Sequence, residues 1–183
     1  MIPTLDEICK AAEITIGDVM GCYVYGSRVY GTATPDSDWD IMLITDKTIF
    51  EKEVESGRLN IHMMSTQSFE RYLFDNDIKV IECFFAPEEF QIVPYKYEFW
   101  FKEPRLRVSV SATVSNSWVK CKKKLAQGDY DIGIKSLFHS LRLAIFGEQF
   151  ADKKTIDFSS ANWIWDELTS PIVTGKRLFI PMS

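Results

Sequence analysis

Gly26-Ser27-Arg28-Val29-Tyr30-Gly31-Thr32-Ala33-Thr34-Pro35-Asp36-Ser37-Asp38-Trp39-Asp40 is the stretch on which the rest of the sequence turns. Before it stands Cys22-Tyr23-Val24-Tyr25 and after it Ile41-Met42-Leu43-Ile44. Both flanking runs are short, aromatic or β-branched and bounded by turn residues, so both predict buried strands. The whole reads as strand, glycine turn, one or two helical turns, a second turn and a strand. Gly26 can take backbone angles closed to other residues and lets a ligand approach the main chain. Ser27 can cap the short helix, whose free N–H groups would face an anion. Pro35-Asp36-Ser37 is turn chemistry.

Asp38 and Asp40 are two positions apart at the head of a strand, so they point to one face. Two like charges about 6.5 Å apart repel by about 2.5 kcal/mol at an effective dielectric near 20. A cation relieves that repulsion, and Mg2+, or Mn2+ in its place, takes carboxylate and phosphate oxygens together. A phosphate-holding turn beside two such carboxylates is equipment for phosphoryl or nucleotidyl transfer.

These residues resemble the nucleotidyltransferases of the DNA polymerase β superfamily. The fuller string, Gly-Ser-Arg-x-Tyr-Gly-x-x-x-Pro-x-Ser-Asp-x-Asp, is similar to its small "predicted nucleotidyltransferase" branch. The resemblance implies an α+β fold, a mixed sheet flanked by helices and followed by a helical segment. It implies transfer of a nucleoside monophosphate from an NTP to an acceptor: an RNA end, a protein hydroxyl or a small molecule. In that reading Gly26, Ser27 and Arg28 hold the triphosphate, with Arg28 adding charge, while Asp38 and Asp40 hold the metal and carry the catalysis. A third carboxylate is expected on a following strand. Alignment through His62 and Phe69 puts Asn60 there. Asn keeps an oxygen but takes no proton at neutral pH. Three outcomes follow: another way of activating the acceptor, another acid moving in, or a nucleotide-binding or protein-interaction module without turnover. His62 shares a strand face with Asn60 and is either a substitute base or a structural histidine.

With 183 residues the chain is long enough for a real core, as one domain or one domain with a helical extension. The expected division is a core over 1–94 and a helical region packed on it over 95–183. A net charge of -5 argues against broad, charge-driven nucleic-acid binding. Cys9, Cys22, Cys83 and Cys121 form no Cys-x-x-Cys pair and read as buried thiols. No signal peptide and no long apolar span stand out, so a cytoplasmic protein without membrane contact is expected.

Residues 4–20 predict a helix capped by Thr4, with Ile8, Ala11, Ala12 and Ile16 in one stripe. Residues 48–58 predict an exposed hairpin edge, 59–64 a third strand, and 66–74 a helix capped by Ser65 or Thr66. Residues 78–85 are an apolar run stopped by Ala86-Pro87, with Glu82 a buried acid expected to meet an arginine. Residues 90–93 suggest a last strand and 94–107 a connector. Helices are expected over 109–127 and 131–147, the first crowding Lys120, Lys122, Lys123 and Lys124 at its end. Those lysines complement the helix terminus or offer a phosphate-binding edge. On the second helix Leu137, Leu141 and Ala144, with Phe138 and Ile145, form the expected apolar face. His139 and Arg142 lie three apart on one helix face. They resemble a His-x-x-Arg element of the same branch, which implies contact with the phosphate or base of the nucleotide; the bland reading is a polar bridge. A short helix begins near Phe158–Asn162, packed by Trp163, Ile164 and Leu168, and Gly175, Lys176 and Arg177 are expected at the surface.

Overall fold

The sheet is built around the two strands that flank the opening stretch. The computed structural model describes residues 1–48 and 50–170, so the expectation for Gly175, Lys176 and Arg177 lies outside the described residues. Strand β1 (Val19–Tyr25) pairs antiparallel with β2 (Trp39–Thr45), and β2 pairs parallel with β4 (Leu59–Met64). Strand β3 (Lys52–Ser56) joins β4 through Gly57-Arg58 as a hairpin, and β5 (Gln91–Val93) pairs with β1. The order across the mixed sheet is β3-β4-β2-β1-β5. The parts fit an α+β nucleotidyltransferase fold: a five-stranded mixed sheet, flanking helices and a C-terminal helical region.

Alternation along the strands divides the core. Tyr23, Met42, Ile44 and Met64 form one cluster with Phe69 and Leu73 of α3 (Thr66–Phe74) and Val80 and Cys83 of α4 (Ile78–Phe84). Helix α3 is capped by Ser65, whose hydroxyl accepts from Ser68 N–H at 3.1 Å. On the other face lie Cys22, Val24, Ile41, Leu43, Ile61 and Met63, all buried. There α1 (Leu5–Ala12) contacts β3 and β4 with Ile8, Cys9 and Ala12 buried.

The first helix is shorter than its pattern suggests. The Thr4–Glu7 capping box starts it, but Glu13 turns left-handed at φ 57° and ends it. Ile14-Thr15-Ile16 is a β-branched run that favours leaving the helix. A single 3₁₀ turn (Ile16–Asp18) follows, leaving Ile16 half exposed, and Met20 is already in β1. The four cysteines are buried and unbridged.

The chain divides into two compact units, 1–106 and 107–183. The first therefore extends past residue 94, where the sequence reading ended it. Tyr95, Tyr97 and Phe99 pack against the sheet cluster, and Tyr23 accepts from Tyr95 N–H at 2.7 Å. Asn76 closes the same segment. Its side chain donates to Leu73 O at 2.9 Å and Trp100 O at 3.0 Å, and accepts from Lys102 N–H at 2.6 Å.

Helix α5 (Glu103–Ala126) starts six residues earlier than expected, because Pro104 sits in its first turn, where a missing N–H costs nothing. Within the second unit, α6 (Tyr130–Lys153) lies so close to α5 that a Cβ on Gly147 would fall 2.6 Å from Val110. Small residues make that approach possible, and Ser140 donates to Val114 O at 3.0 Å. The buried side of α6 consequently holds Ser136, Ser140, Leu143 and Gly147, while Leu141 and Ala144, expected in the core, are exposed. On α7 (Asn162–Thr169) Ile164 is buried and Trp165 meets Phe138 at 5.2 Å, whereas Trp163, expected to pack, is exposed. Among the described residues no helix is long and apolar enough to cross a membrane.

Asn76 is fully buried and left-handed at φ 52°, a conformation Asn tolerates better than most residues. Replacing it with Ala leaves several buried backbone groups unpaired. Asn76→Ala is expected to lower unfolding stability by about 2–3 kcal/mol, read from urea titrations of both proteins.

Candidate active site

The site grows from the turn at the end of β1. Tyr25 is the register partner of Asp40 across β1 and β2, so the chain leaves β1 beside that carboxylate. Gly26 follows at φ 79°, ψ -157°, a region essentially reserved for glycine. A Cβ there would lie 2.2 Å from Asp40 Oδ2, so the carboxylate occupies the space that any side chain would need. Gly26 itself is the N-cap of the one-turn helix α2 (Ser27–Tyr30), with no side-chain cap. Ser27 was expected to be the cap. It is instead the first helical residue, because Gly26 O already accepts from Val29 and Tyr30 N–H. Among the described residues none engages the Ser27 hydroxyl.

The loop from α2 to β2 is held by two arginines. Arg28 donates from Nε to Asp38 O at 3.3 Å and from its guanidinium to Ser37 O, and it stacks 4.2 Å over the Trp39 ring. Its fork is thus engaged by the loop that carries Asp38, a different task from the triphosphate contact expected of it. Arg58, which sequence reasoning passed over, donates to Pro35 O and to Ser37 O at 2.7 Å. Its own carbonyl accepts from Trp39 N–H at 2.8 Å. The turn is closed locally by Thr34 N–H donating to Ser37 Oγ at 2.8 Å.

Asn60 is the register partner of Asp40 on β4 and donates from Nδ2 to Asp40 Oδ1 at 3.4 Å. Burial pushes the Asp40 carboxyl above its usual range; the Asn60 hydrogen bond opposes this, and the charges of Asp38 and Glu53 add to it. Asp38 and Asp40 are therefore electrostatically coupled, with Asp38 exposed and Asp40 partly buried. Tyr25 is also pushed up, first by burial and then by the negative charge of Asp40, with Cys83, Glu53 and Glu82 contributing. Its hydroxyl therefore stays neutral. Glu82, buried on α4, accepts from Tyr30 Oη at 3.2 Å and so ties α4 to α2.

Gly26, Ser27, Arg28, Asp38, Asp40 and Asn60 thus converge in the first unit. His139 and Arg142 pair with each other on α6 in the second. Arg142 approaches His139 Nδ1 at 2.8 Å and is buried, 5.4 Å from the Phe138 ring and 5.6 Å from that of Phe146. Lys124 pairs with Asp129 at 3.0 Å, while Lys120, Lys122 and Lys123 are exposed. Tyr25 had a sequence signal, standing directly before Gly26. Arg58 had none, since its target is more than twenty residues upstream.

Among the described residues no three His, Cys, Asp or Glu side chains are grouped to hold a metal ion. Asp38 and Asp40 supply oxygens of the kind Mg2+ takes, since that ion binds through one or two carboxylates and completes its shell with water and phosphate oxygens. The charges of Asp38 and Glu53 that act on Asp40 are what such an ion would offset.

No curated protein matches the chain. A solved structure, a nucleotidyltransferase-like protein from Exiguobacterium sibiricum 255-15, is similar at 15% identity and a TM-score of 0.34, over 90% of this chain and 60% of that one. The chain thus spans about 60% of that protein's length. Residues 5–92 match the family model described as polymerase beta, nucleotidyltransferase. That segment, just under half of the chain, holds the glycine turn, both aspartates, strands β1 to β4 and most of β5, and it is this segment that matches the polymerase β nucleotidyltransferase family.

Proposed function

We propose that the protein moves a nucleoside monophosphate from an NTP to an acceptor hydroxyl in a divalent-cation-dependent reaction. The observation that carries this reading is the Asp40 carboxylate seated against the bare Cα of Gly26, with the charge of Asp38 beside it. Asp38 and Asp40 would hold Mg2+ or Mn2+, and the ion when bound would offset charge on the phosphates. Gly26 lets the Asp40 carboxylate lie against the main chain. The Ser27 hydroxyl donates to a phosphate oxygen. Arg28 and Arg58 fix the Ser37–Asp38 backbone, so Asp38 is presented without a search through loop conformers. The acceptor belongs to one of three classes: an RNA end, a protein hydroxyl or a small molecule. A second reading, nucleotide binding without turnover, is favoured by one observation: the strand partner of Asp40 is an amide, not an acid.

The two readings separate in one assay. α-Labelled ATP, GTP, CTP and UTP are offered with Mg2+ and with RNA, protein and small-molecule fractions. Transfer of the α-label with release of pyrophosphate supports the transferase. Tight binding without transfer supports the second reading.

Gly26→Ala places a methyl where Asp40 Oδ2 sits. It is expected to abolish transfer and to cost about 1–3 kcal/mol of stability through backbone strain, measured by label transfer and thermal melts. Asp40→Asn has opposite effects on the two properties. The folded-state pKa of Asp40 is raised, so its favourable contribution is present below the unfolded pKa and lost as pH rises through the folded one. The ionised side chain therefore destabilises the fold at neutral pH. Asp40→Asn is expected to lose transfer yet melt at a higher temperature at pH 7, with the difference shrinking as pH falls through the raised pKa.

A further inference from the structure

The sheet face that carries Asp40 carries a second charged group to which the reading above gives no task. Across the strands Asp40 pairs in register with Asn60, and Asn60 with Glu55. One step along the same face, Glu53 on β3 stands opposite His62 on β4. His62 hydrogen-bonds Glu53 through Nδ1, and its Nε2 lies 3.4 Å from Glu51 Oε2. Tyr72 of α3 donates to Glu51 in turn. Both imidazole nitrogens thus face carboxylates, so His62 acts as a brace rather than as the substitute base that its strand position suggested. What it braces is Glu53, whose side chain is two-thirds exposed (67%) on the edge strand. The charge of Glu53 also reaches Asp40.

Position along the sheet gives this pair a role. Gly26 and Ser27 flank β2 on the β1 side; Asn60 and then β3 flank it on the other. In-line displacement at phosphorus puts the leaving group and the nucleophile on opposite sides. With pyrophosphate leaving toward Gly26 and Ser27, the acceptor hydroxyl enters over β4 and β3. The residue it meets beside Asp40 is Asn60, which takes no proton. Glu53 is the braced carboxylate on that flank.

We infer that Glu53 accepts the proton of the attacking hydroxyl and that His62 is its positioning residue, an inference that rests on the transferase reading above. The acceptor O–H bond breaks and its proton passes to a Glu53 carboxylate oxygen. The freed electron pair forms the new O–P bond at the α-phosphorus. The bond from that phosphorus to the bridging oxygen breaks, and pyrophosphate leaves with its electron pair. Glu53 then returns the proton to solvent.

The test uses the full chain and five variants: Glu53→Gln, His62→Gln, Glu55→Gln, the Glu53→Gln/His62→Gln pair and Glu53→Gln/Asn60→Asp. Glu53→Gln is expected to lower kcat about 100- to 10,000-fold, with KM for the nucleotide, Mn2+ affinity by direct titration and melting temperature close to those of the parent. His62→Gln is expected to lower kcat less, and the Glu53→Gln/His62→Gln pair to be no slower than Glu53→Gln alone, because His62 works through Glu53. Asn60→Asp, which returns a carboxylate to the strand partner of Asp40, is expected to restore activity to Glu53→Gln. Loss of Mn2+ binding in Glu53→Gln, a rate loss in Glu55→Gln without one in Glu53→Gln, or additive losses in the Glu53→Gln/His62→Gln pair overturns the inference. Transfer by the parent that Glu53→Gln leaves intact overturns this inference alone. A parent that binds Mn2+ and nucleotide but transfers no label overturns the transferase reading and this inference with it.

Discussion

The site depends on one close approach, that of the Asp40 carboxylate to the Cα of Gly26. Only a residue without a side chain, held at positive φ, leaves room for it. The approach has two effects. It sets a negative group against the backbone where β1 ends, and it takes Asp40 partly out of water. The second effect destabilises the charged form, which is why the Asp40 carboxyl titrates above its ordinary range. A fold that keeps such a group stores a demand for positive charge at that point. The proposed function rests on that demand.

The rest of the first unit holds this unfavourable arrangement in place. The sheet pins Asp40 between register partners on both sides, Tyr25 on β1 and Asn60 on β4. Arginine side chains from two separate turns converge on the carbonyls of Pro35, Ser37 and Asp38. Beneath lies the aromatic cluster of Tyr23, Phe69, Phe84 and Tyr95, with Phe69 stacked on Tyr23 and edge-on to Tyr95. Asn76 stitches the chain after β5 back onto the end of α3. A rigid apolar body under a charged rim is the usual means of positioning reactive groups without relying on loop order.

Much of this was legible from residue order because the signals are local. The strands on either side of the glycine turn are apolar runs bounded by turn residues. Ser65 caps α3, and Gly57 marks the hairpin, all within a few residues of what they control. Asn60 could be placed by its spacing from His62 and Phe69, and it does stand in register with Asp40. What misled was also local. Ile16 fits a helical stripe, yet Glu13 and the β-branched residues after it end the helix. Pro104 looks like a break but occupies the first turn of α5, where it is tolerated. Leu141 and Ala144 fit an apolar face, but the small residues Ser140 and Gly147 decide which side of α6 meets α5.

Residue order by itself determined the resemblance of residues 5–92 to the polymerase β nucleotidyltransferases, the α+β class, the glycine turn and a pair of aspartates two residues apart where β2 begins. Each of these is written in spacings of a few residues, at which backbone geometry leaves little choice. Tertiary structure alone decided that Arg28 and Arg58 clamp the loop, that Tyr30 holds Glu82, and that Glu53 and His62 share the face of Asp40. Those pairings join residues far apart in the chain or on neighbouring strands. Their partners are chosen by strand order and register, which a string of side chains does not specify until the sheet has formed.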